Sequence, residues 1–488
     1  MQIEIGQTNS GKVVSLPLAR ANRHGLVSGS TGSGKTVTLQ RMMEQFSAAG
    51  VPCFASDVKG DLSGIAARGA ASPLSVKTAA LGRQFVPARF PVAFWDLFGV
   101  HGLPIRTSVQ EMGCELLARM LKLNDTQEGA LAIAFKKSEK DKDWMLTLDD
   151  LRWTLNDMLE NREDVCREYG NITSSSVTTI QRQILALESQ GGDNLFGEPP
   201  FEIMDLLRTD ADGRGIVNLL HADKLMEAPK LYATFLLWLL TELFRVLPEA
   251  GDLPAPKLVF FFDEAHLLFT DAPKQLIQQI ERLVRLVRSK GVGVFFVTQS
   301  PADVPDTVLA QLGSRIQHAL RAYTQKDQRM VRAAAQAFRE NRGVDVKAEI
   351  TTMGVGEALI SVLDEAGIPT KVEKVTIIPP SAQVGSISDL ERRVLNDATT
   401  LRRKYGAAAS DQDAAGRFMN RMRKVRGIDV VDYAAAEPYV PGLYMQYIPQ
   451  PEADEPAEAR PDRMFHLKRL AIWSSFLAGS VVMLRAMI

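Results

Sequence analysis

Eight residues constrain this chain more than any others: Gly29-Ser30-Thr31-Gly32-Ser33-Gly34-Lys35-Thr36, a G-x-x-x-x-G-K-[ST] run. It follows a strand-like stretch, His24–Ser28, and precedes a helical pattern from about Thr36 to Ala49. Glycines let the backbone curl until successive N–H groups converge on phosphate oxygens. A helix beginning there adds the positive end of its dipole. Lys35 is placed to neutralise charge on β- and γ-phosphates, and the Thr36 hydroxyl to ligate Mg²⁺. A plain Gly/Ser turn is the bland alternative, and a chance match in a chain this long has a probability on the order of 1%. Strand before and helix after supply the context the motif requires.

Such a loop needs an acid at a neighbouring strand's C-terminal end. Leu258–Phe262 is a continuous apolar run that ends in Asp263-Glu264. Asp263 suits Mg²⁺, directly or through water, and Glu264 suits orienting and deprotonating an attacking water. Taken alone, the pair reads as a solvated strand end before a helix; beside the loop, the functional reading wins. Val292–Val297 ends in Thr298-Gln299, which makes Gln299 a candidate γ-phosphate sensor. Val51–Ser56 ends in Asp57-Val58-Lys59-Gly60-Asp61, where Asp57 or Asp61 could serve the same site. Ligands of parallel sheets sit outside the carboxyl ends of the strands, so these positions converge. Arg315 precedes, and Arg321 follows, the strand-like stretch Ile316–Leu320. Either could be an arginine that a neighbouring subunit supplies to the transferring phosphoryl group; each could equally be an ordinary surface arginine.

The surroundings predict an α/β fold with a mainly parallel sheet. LVFFF and VGVFFV are the continuous apolar runs expected of strands covered on both faces. Residues 1–108 carry two N-terminal strands (Gln2–Ile5, Lys12–Leu16) and the first part of a core. Residues 109–190 read as a helical insertion, and 191–380 as the second part of the core, closed by an antiparallel pair at Glu357–Leu363 and Thr370–Ile378. Residues 381–448 read as a helical region, and 449–488 as a Pro/Glu/Ala linker with an apolar helix. With 45% hydrophobic and 24% charged residues, a largely disordered chain is excluded. Net charge is 57 − 58 = −1, so any nucleic-acid surface must be local. Cys53, Cys114 and Cys166 lack CxxC spacing, the six histidines show no ligand spacing, and no signal-peptide plan opens the chain. A cytoplasmic location is the expectation.

These motifs, in this order, resemble the FtsK–HerA class of P-loop motor ATPases, and more closely the bacterial helicase HerA-like proteins. The resemblance rests on GSTGSGKT at Gly29–Thr36, SDVKGDLSG at Ser56–Gly64, FFFDEAH at Phe260–His266, FFVTQSPADVP at Phe295–Pro305 and LGSRIQHALRA at Leu312–Ala322. It extends to LLARMLKLNDTQEG at Leu116–Gly129. It implies a RecA-like core, a homo-oligomeric ring (a hexamer) and ATP hydrolysis at subunit boundaries. It places Gly29–Thr36 and Asp57 around the nucleotide, Thr36 and Asp263 on Mg²⁺, and Lys35, Glu264 and Gln299 in catalysis. Arg315 is its first trans-acting arginine and Arg321 the second. DNA translocation or helicase-like work comes from the resemblance; the alternative is an ATPase that remodels a protein or membrane-associated partner. HerA's separate N-terminal barrel has no obvious counterpart in the short strands before His24, and that departure puts a nuclease partner in doubt.

Two stretches bear on partners. Arg282, Arg285, Arg288 and Lys290 recur at near-helical spacing, which fits the solvated face of a helix packed on the sheet better than a DNA surface. Arg417, Arg421, Arg423, Lys424 and Arg426 form a denser patch, with no interleaved aromatic platform. The fifteen apolar or uncharged residues Leu470–Leu484 are flanked by Lys468-Arg469 and Arg485. As a helix they would span about 22 Å, short of a hydrocarbon core of ~30 Å. A docking or inter-subunit helix is expected, with contact at a membrane surface as the alternative.

Overall fold

The computed structural model describes residues 1–251, 253–269 and 274–406. The basic patch at Arg417–Arg426, the linker and Leu470–Leu484 lie outside the described residues.

Among the described residues twelve strands form one sheet. In chain order they are β1 (Gln2–Gln7), β2 (Val13–Pro17), β3 (Gly25–Ser28), β4 (Cys53–Asp57), β5 (Val92–Asp96) and β6 (Leu103–Pro104), then β7 (Val217–His221), β8 (Leu258–Phe262), β9 (Val292–Thr298), β10 (Ser314–Gln317), β11 (Glu357–Ser361) and β12 (Glu373–Ile377). Their spatial order is β2-β1-β12-β11-β10-β3-β9-β8-β4-β7-β5-β6. Pairing is parallel from β10 through β3, β9, β8, β4, β7 and β5 to β6. It is antiparallel from β10 outward through β11, β12, β1 and β2. The N-terminal hairpin is therefore an edge of the main sheet, joined to it through Gly6 opposite Ile377.

Helices cover both faces, which is why the central strands read as unbroken apolar runs. Every residue of β8 is buried, and its side chains alternate. Val259 and Phe261 enter one core with Leu39, Met42, Met43 and Phe46 of α1 (Lys35–Ala48). Phe260 and Phe262 enter the other. That second core is closed by α3–α8 (Val109–Met112, Cys114–Met120, Asp125–Asp141, Leu148–Glu160, Arg162–Tyr169, Ser174–Glu188), with α9 (Pro229–Val246) and α10 (Lys274–Val287). The stretch from Val109 to Glu188 is all-helical, and its apolar faces continue the core of the sheet. On α10, Ile280, Val284 and Val287 are buried while Arg282, Arg285 and, one residue past its end, Arg288 are exposed, so these arginines are the solvated side of a packed helix.

The remaining helices are α2 (Ala71–Ala80), α11 (Asp306–Leu309), α12 (Gln325–Gln336), α13 (Val346–Thr352), α14 (Asp389–Ala398) and α15 (Leu401–Tyr405). Between β12 and α14 a strap crosses the α1 face: the Glu44 carboxylate accepts from Ser381 N at 2.8 Å and Ala382 N at 2.9 Å. Among the described residues no helix is long and apolar enough to cross a membrane.

Candidate nucleotide-binding site

The loop leaves β3 at Ser28 and reaches α1 at Lys35. Neighbouring strand ends hold it from outside: Gly29 N donates to Thr298 O at 3.3 Å, Ser30 N to Ala319 O at 2.9 Å, and Gly356 N to Ser33 O at 3.1 Å. Gly34 sits at φ 111°, and a Cβ there would stand 3.2 Å from Gly356 N, so a glycine is required by both backbone angle and space. The first-turn N–H groups of α1 have no intrahelical acceptor and form the phosphate-facing rim. Lys35 Nζ turns back onto the loop, donating to Gly29 O and, at 3.2 Å, to Ser30 O. The Ser33 hydroxyl is buried without a partner.

Behind the loop, His318 fixes the base of α1. Its ring is buried between Thr38 Oγ1, 2.9 Å from Nε2, and Glu357 O, 2.9 Å from Nδ1. Burial pushes its pKa down to about 4, helped by Lys35, so it is neutral and structural.

The acids were expected on a strand next to β3. Instead β9 lies between β3 and β8. This order suits the chemistry, because it sets Gln299 at the end of β9 between loop and acids. Gln299 Nε2 lies 3.5 Å from Glu264 Oε2. Glu264 is buried and left-handed, with φ 48°. Lys59 Nζ approaches its Oε1 at 3.6 Å, and His266 Nδ1 its Oε2 at 3.3 Å. Asp263 is anchored through its backbone: its N–H donates to Ser56 Oγ at 3.1 Å, and its carbonyl accepts from Tyr232 OH at 3.3 Å. Its carboxylate accepts from Glu264 N at 2.9 Å. Burial, then the Glu264 charge, pushes Asp263 up to about 6. Burial lowers Lys35, and the charges of Glu264 and Asp263 oppose that shift, which puts the lysine in the field of both acids.

Asp57 is the last residue of β4, one position further on than the sequence suggests. Oδ2 accepts from Leu62 N at 3.2 Å, while Oδ1 is buried with no partner. Burial and Asp61 push Asp57 up to about 7. An orphaned carboxylate oxygen beside Asp263 is the mark of a site that takes a cation or an ordered water. Thr36, Asp263 and neighbouring oxygens fit Mg²⁺, which keeps most of its waters and needs few protein ligands. Among the described residues no three His, Cys, Asp or Glu side chains form a larger metal cage.

The arginines separate. Strand β10 runs Ser314–Gln317, so Arg315 lies inside it, not before it. It is opposite Leu26 of β3, half-buried, with Nη2 3.3 Å from Leu309 O, and does not join the loop cluster. The register shift has a plain cause: β10 pairs with both β3 and β11, and the chain turns away at His318 to bond Glu357. Arg321 is exposed, bonds Thr351 O at 3.2 Å, and rims a cavity of about 640 Å³ that it shares with Ser30–Ser33, His266 and Gln299. Lys59, the one cation of the SDVKGDLSG motif, joins the acids by its contact with Glu264; its place between Asp57 and Asp61 is the sequence signal that points to it.

A family model described as helicase HerA-like C-terminal matches residues 2–437. No curated protein sequence matches. Among solved structures, the plasmid coupling protein TrwB in complex with the ATP analogue ADPNP aligns with TM-score 0.51 and 16% identity, covering 79% of this chain and 95% of that chain. VirB4 of Thermoanaerobacter pseudethanolicus aligns with TM-score 0.50 and 16% identity, covering 77% and 96%. TrwB in complex with ADP and Mg²⁺ gives TM-score 0.50 and 17% identity over 79% and 91%. At such identities these likenesses establish the RecA-like fold. The family match spans nearly the whole chain, and this protein belongs to the helicase HerA-like C-terminal family.

Proposed function

We propose that this protein is a Mg²⁺-dependent ATP hydrolase that works as a ring-shaped motor on DNA. The observation that carries the chemistry is the meeting of Lys35, Asp263, Glu264 and Gln299 at the ends of β3, β8 and β9. Lys35, released from Gly29 O and Ser30 O, would hold β- and γ-phosphate oxygens. Thr36 and Asp263 would hold Mg²⁺, which when bound screens phosphate charge and aligns the oxygens for in-line attack. Glu264 would accept the water's proton while Gln299 fixes the water's position. Lys59 and His266 hold the Glu264 carboxylate in place. Asp57 would steady the metal's water shell from the end of β4. TrwB structures with an ATP analogue and with ADP and Mg²⁺ support an adenine nucleotide at this loop.

Action on DNA and assembly into a hexamer rest on membership of the helicase HerA-like family. Arg321, which rims its own subunit's cavity, is assigned there in cis. Arg315 stands away from its own loop and is the candidate for action in trans, once freed from Leu309 O. The test is phosphate release from ATP by full-length protein, with and without EDTA and duplex DNA. Mg²⁺-dependent turnover stimulated several-fold by DNA is expected. Turnover that no nucleic acid changes would sink the DNA assignment and favour a protein or membrane-associated substrate.

A further inference from the structure

The turn after β4 sets a loose arm on a rigid base. Gly60 turns the chain at φ 73°, and its carbonyl accepts from Ser63 Oγ at 2.8 Å. Ser63 Oγ in turn accepts from Ile387 N at 3.1 Å, and the Asp57 carboxylate takes Leu62 N at 3.2 Å. The backbone around Lys59 is pinned; its side chain is not. That side chain is 54% exposed, and its Nζ meets Glu264 Oε1 through one contact of 3.6 Å. So long and half-solvated an ion pair contributes little, and breaking it costs little.

Of the lysines and arginines, Lys59 is the one among the described residues that forms an ion pair with an acid of the site. Its charge reaches further. Burial lowers Lys35 most, and Lys59 adds to that shift against the pull of Glu264 and Asp263. On Asp263, raised by burial and Glu264, the Lys59 charge acts downward. Asp61 pushes both Asp263 and Asp57 up, so it adds negative charge here, but no ion pair ties it to Lys59. Glu264 keeps His266 and Gln299 beside it if Lys59 departs. A γ-phosphate offers an ammonium several oxygens and more charge than one carboxylate does. Arg315 and Arg321 are held elsewhere, on Leu309 O and Thr351 O.

We propose that Lys59 is a catalytic residue of its own subunit's site, whose ammonium leaves Glu264 for a γ-phosphate oxygen and steadies the transferring phosphoryl group. The inference rests on the ATP hydrolase reading above. In the step itself the water's oxygen bonds to the γ-phosphorus and its proton passes to Glu264. The β–γ bridging oxygen leaves with ADP, and Lys59 keeps its protons throughout. Its departure also opens Glu264 Oε1 to the water.

The test is calorimetric titration of full-length Glu264→Gln protein with ATP and with ADP in the presence of Mg²⁺, repeated after adding Lys59→Gln. Glu264→Gln halts turnover and removes the carboxylate, so any effect of Lys59 that remains does not run through that base. Lys59→Gln should weaken ATP by at least about tenfold and leave ADP within about twofold. Retained ADP binding shows that fold and phosphate loop are intact. Both nucleotides unchanged would confine Lys59 to holding Glu264, and both weakened alike would show no contact particular to the γ-phosphate; either result overturns the proposal. Failure of the Glu264→Gln protein to bind ATP or ADP at all would overturn the nucleotide reading instead.

Discussion

Glu264 is held in a left-handed conformation by its position between Asp263 and a short 3₁₀ turn, with Lys59, His266 and Gln299 around its carboxylate. A side chain so fixed is a base whose removal should stop chemistry without emptying the site. Glu264→Gln should lower kcat by about 10²-fold or more and keep ATP affinity within about threefold. Lys35→Ala should lose both, as rapid-quench turnover and equilibrium binding would show. His318 gives a prediction of another kind. Its folded pKa is about 4 against 6.5 in the unfolded chain, so only the unfolded state gains a proton between those values. Its contribution to stability is complete above pH 6.5 and is lost as pH falls toward about 4, by roughly 3 kcal/mol in all. His318→Gln should reduce the loss of urea resistance between about pH 7 and about pH 5; an unchanged loss would exclude this ring as its source.

The strap between β12 and α14 depends on one carboxylate at the back of α1. Glu44 accepts two main-chain N–H groups from Ser381 and Ala382. Glu44→Ala would leave both donors buried and unpaired, at a cost of about 2–4 kcal/mol in urea unfolding. Burial pushes this carboxyl up to about 7 from 4.5, so the folded state holds its proton the more tightly. Its effect therefore runs opposite to that of His318: stability falls as pH rises from 4.5 to about 7, and Glu44→Gln should remove that fall. This clasp was invisible in the sequence, where Glu44 is one polar residue within a helix and its partners lie more than three hundred positions away. Strand ends carrying short-range signals were legible: Leu258–Phe262 matches β8 residue for residue, and Val292–Val297 falls one residue short of the end of β9. Strand β10 starts two residues before and ends three residues before the expected Ile316–Leu320, because its limits are set by two pairing partners and by the His318 contact, none of which is local.

Across the whole molecule, the sequence revealed the loop and the acids but not the strand between them. Both motifs are local, whereas strand order is decided by pairing between distant segments: β9 follows β8 in the chain yet inserts between it and β3. The family match carries an expectation about assembly that needs several subunits to test. Arg315→Ala and Lys35→Ala proteins, each inactive alone, should recover ATPase activity when mixed, because a Lys35→Ala subunit can lend its arginine to an intact neighbouring loop. Sedimentation should place both variants in the same ring; mixtures that stay silent would remove Arg315 from the trans role. The sheet also joins what synthesis separates. Strand β1 pairs with β12, so Gly6 waits for Ile377 to be made. At ribosomal speed that interval is on the order of tens of seconds, during which the hairpin's inner edge has no mate and is a natural client for whatever shields nascent chains.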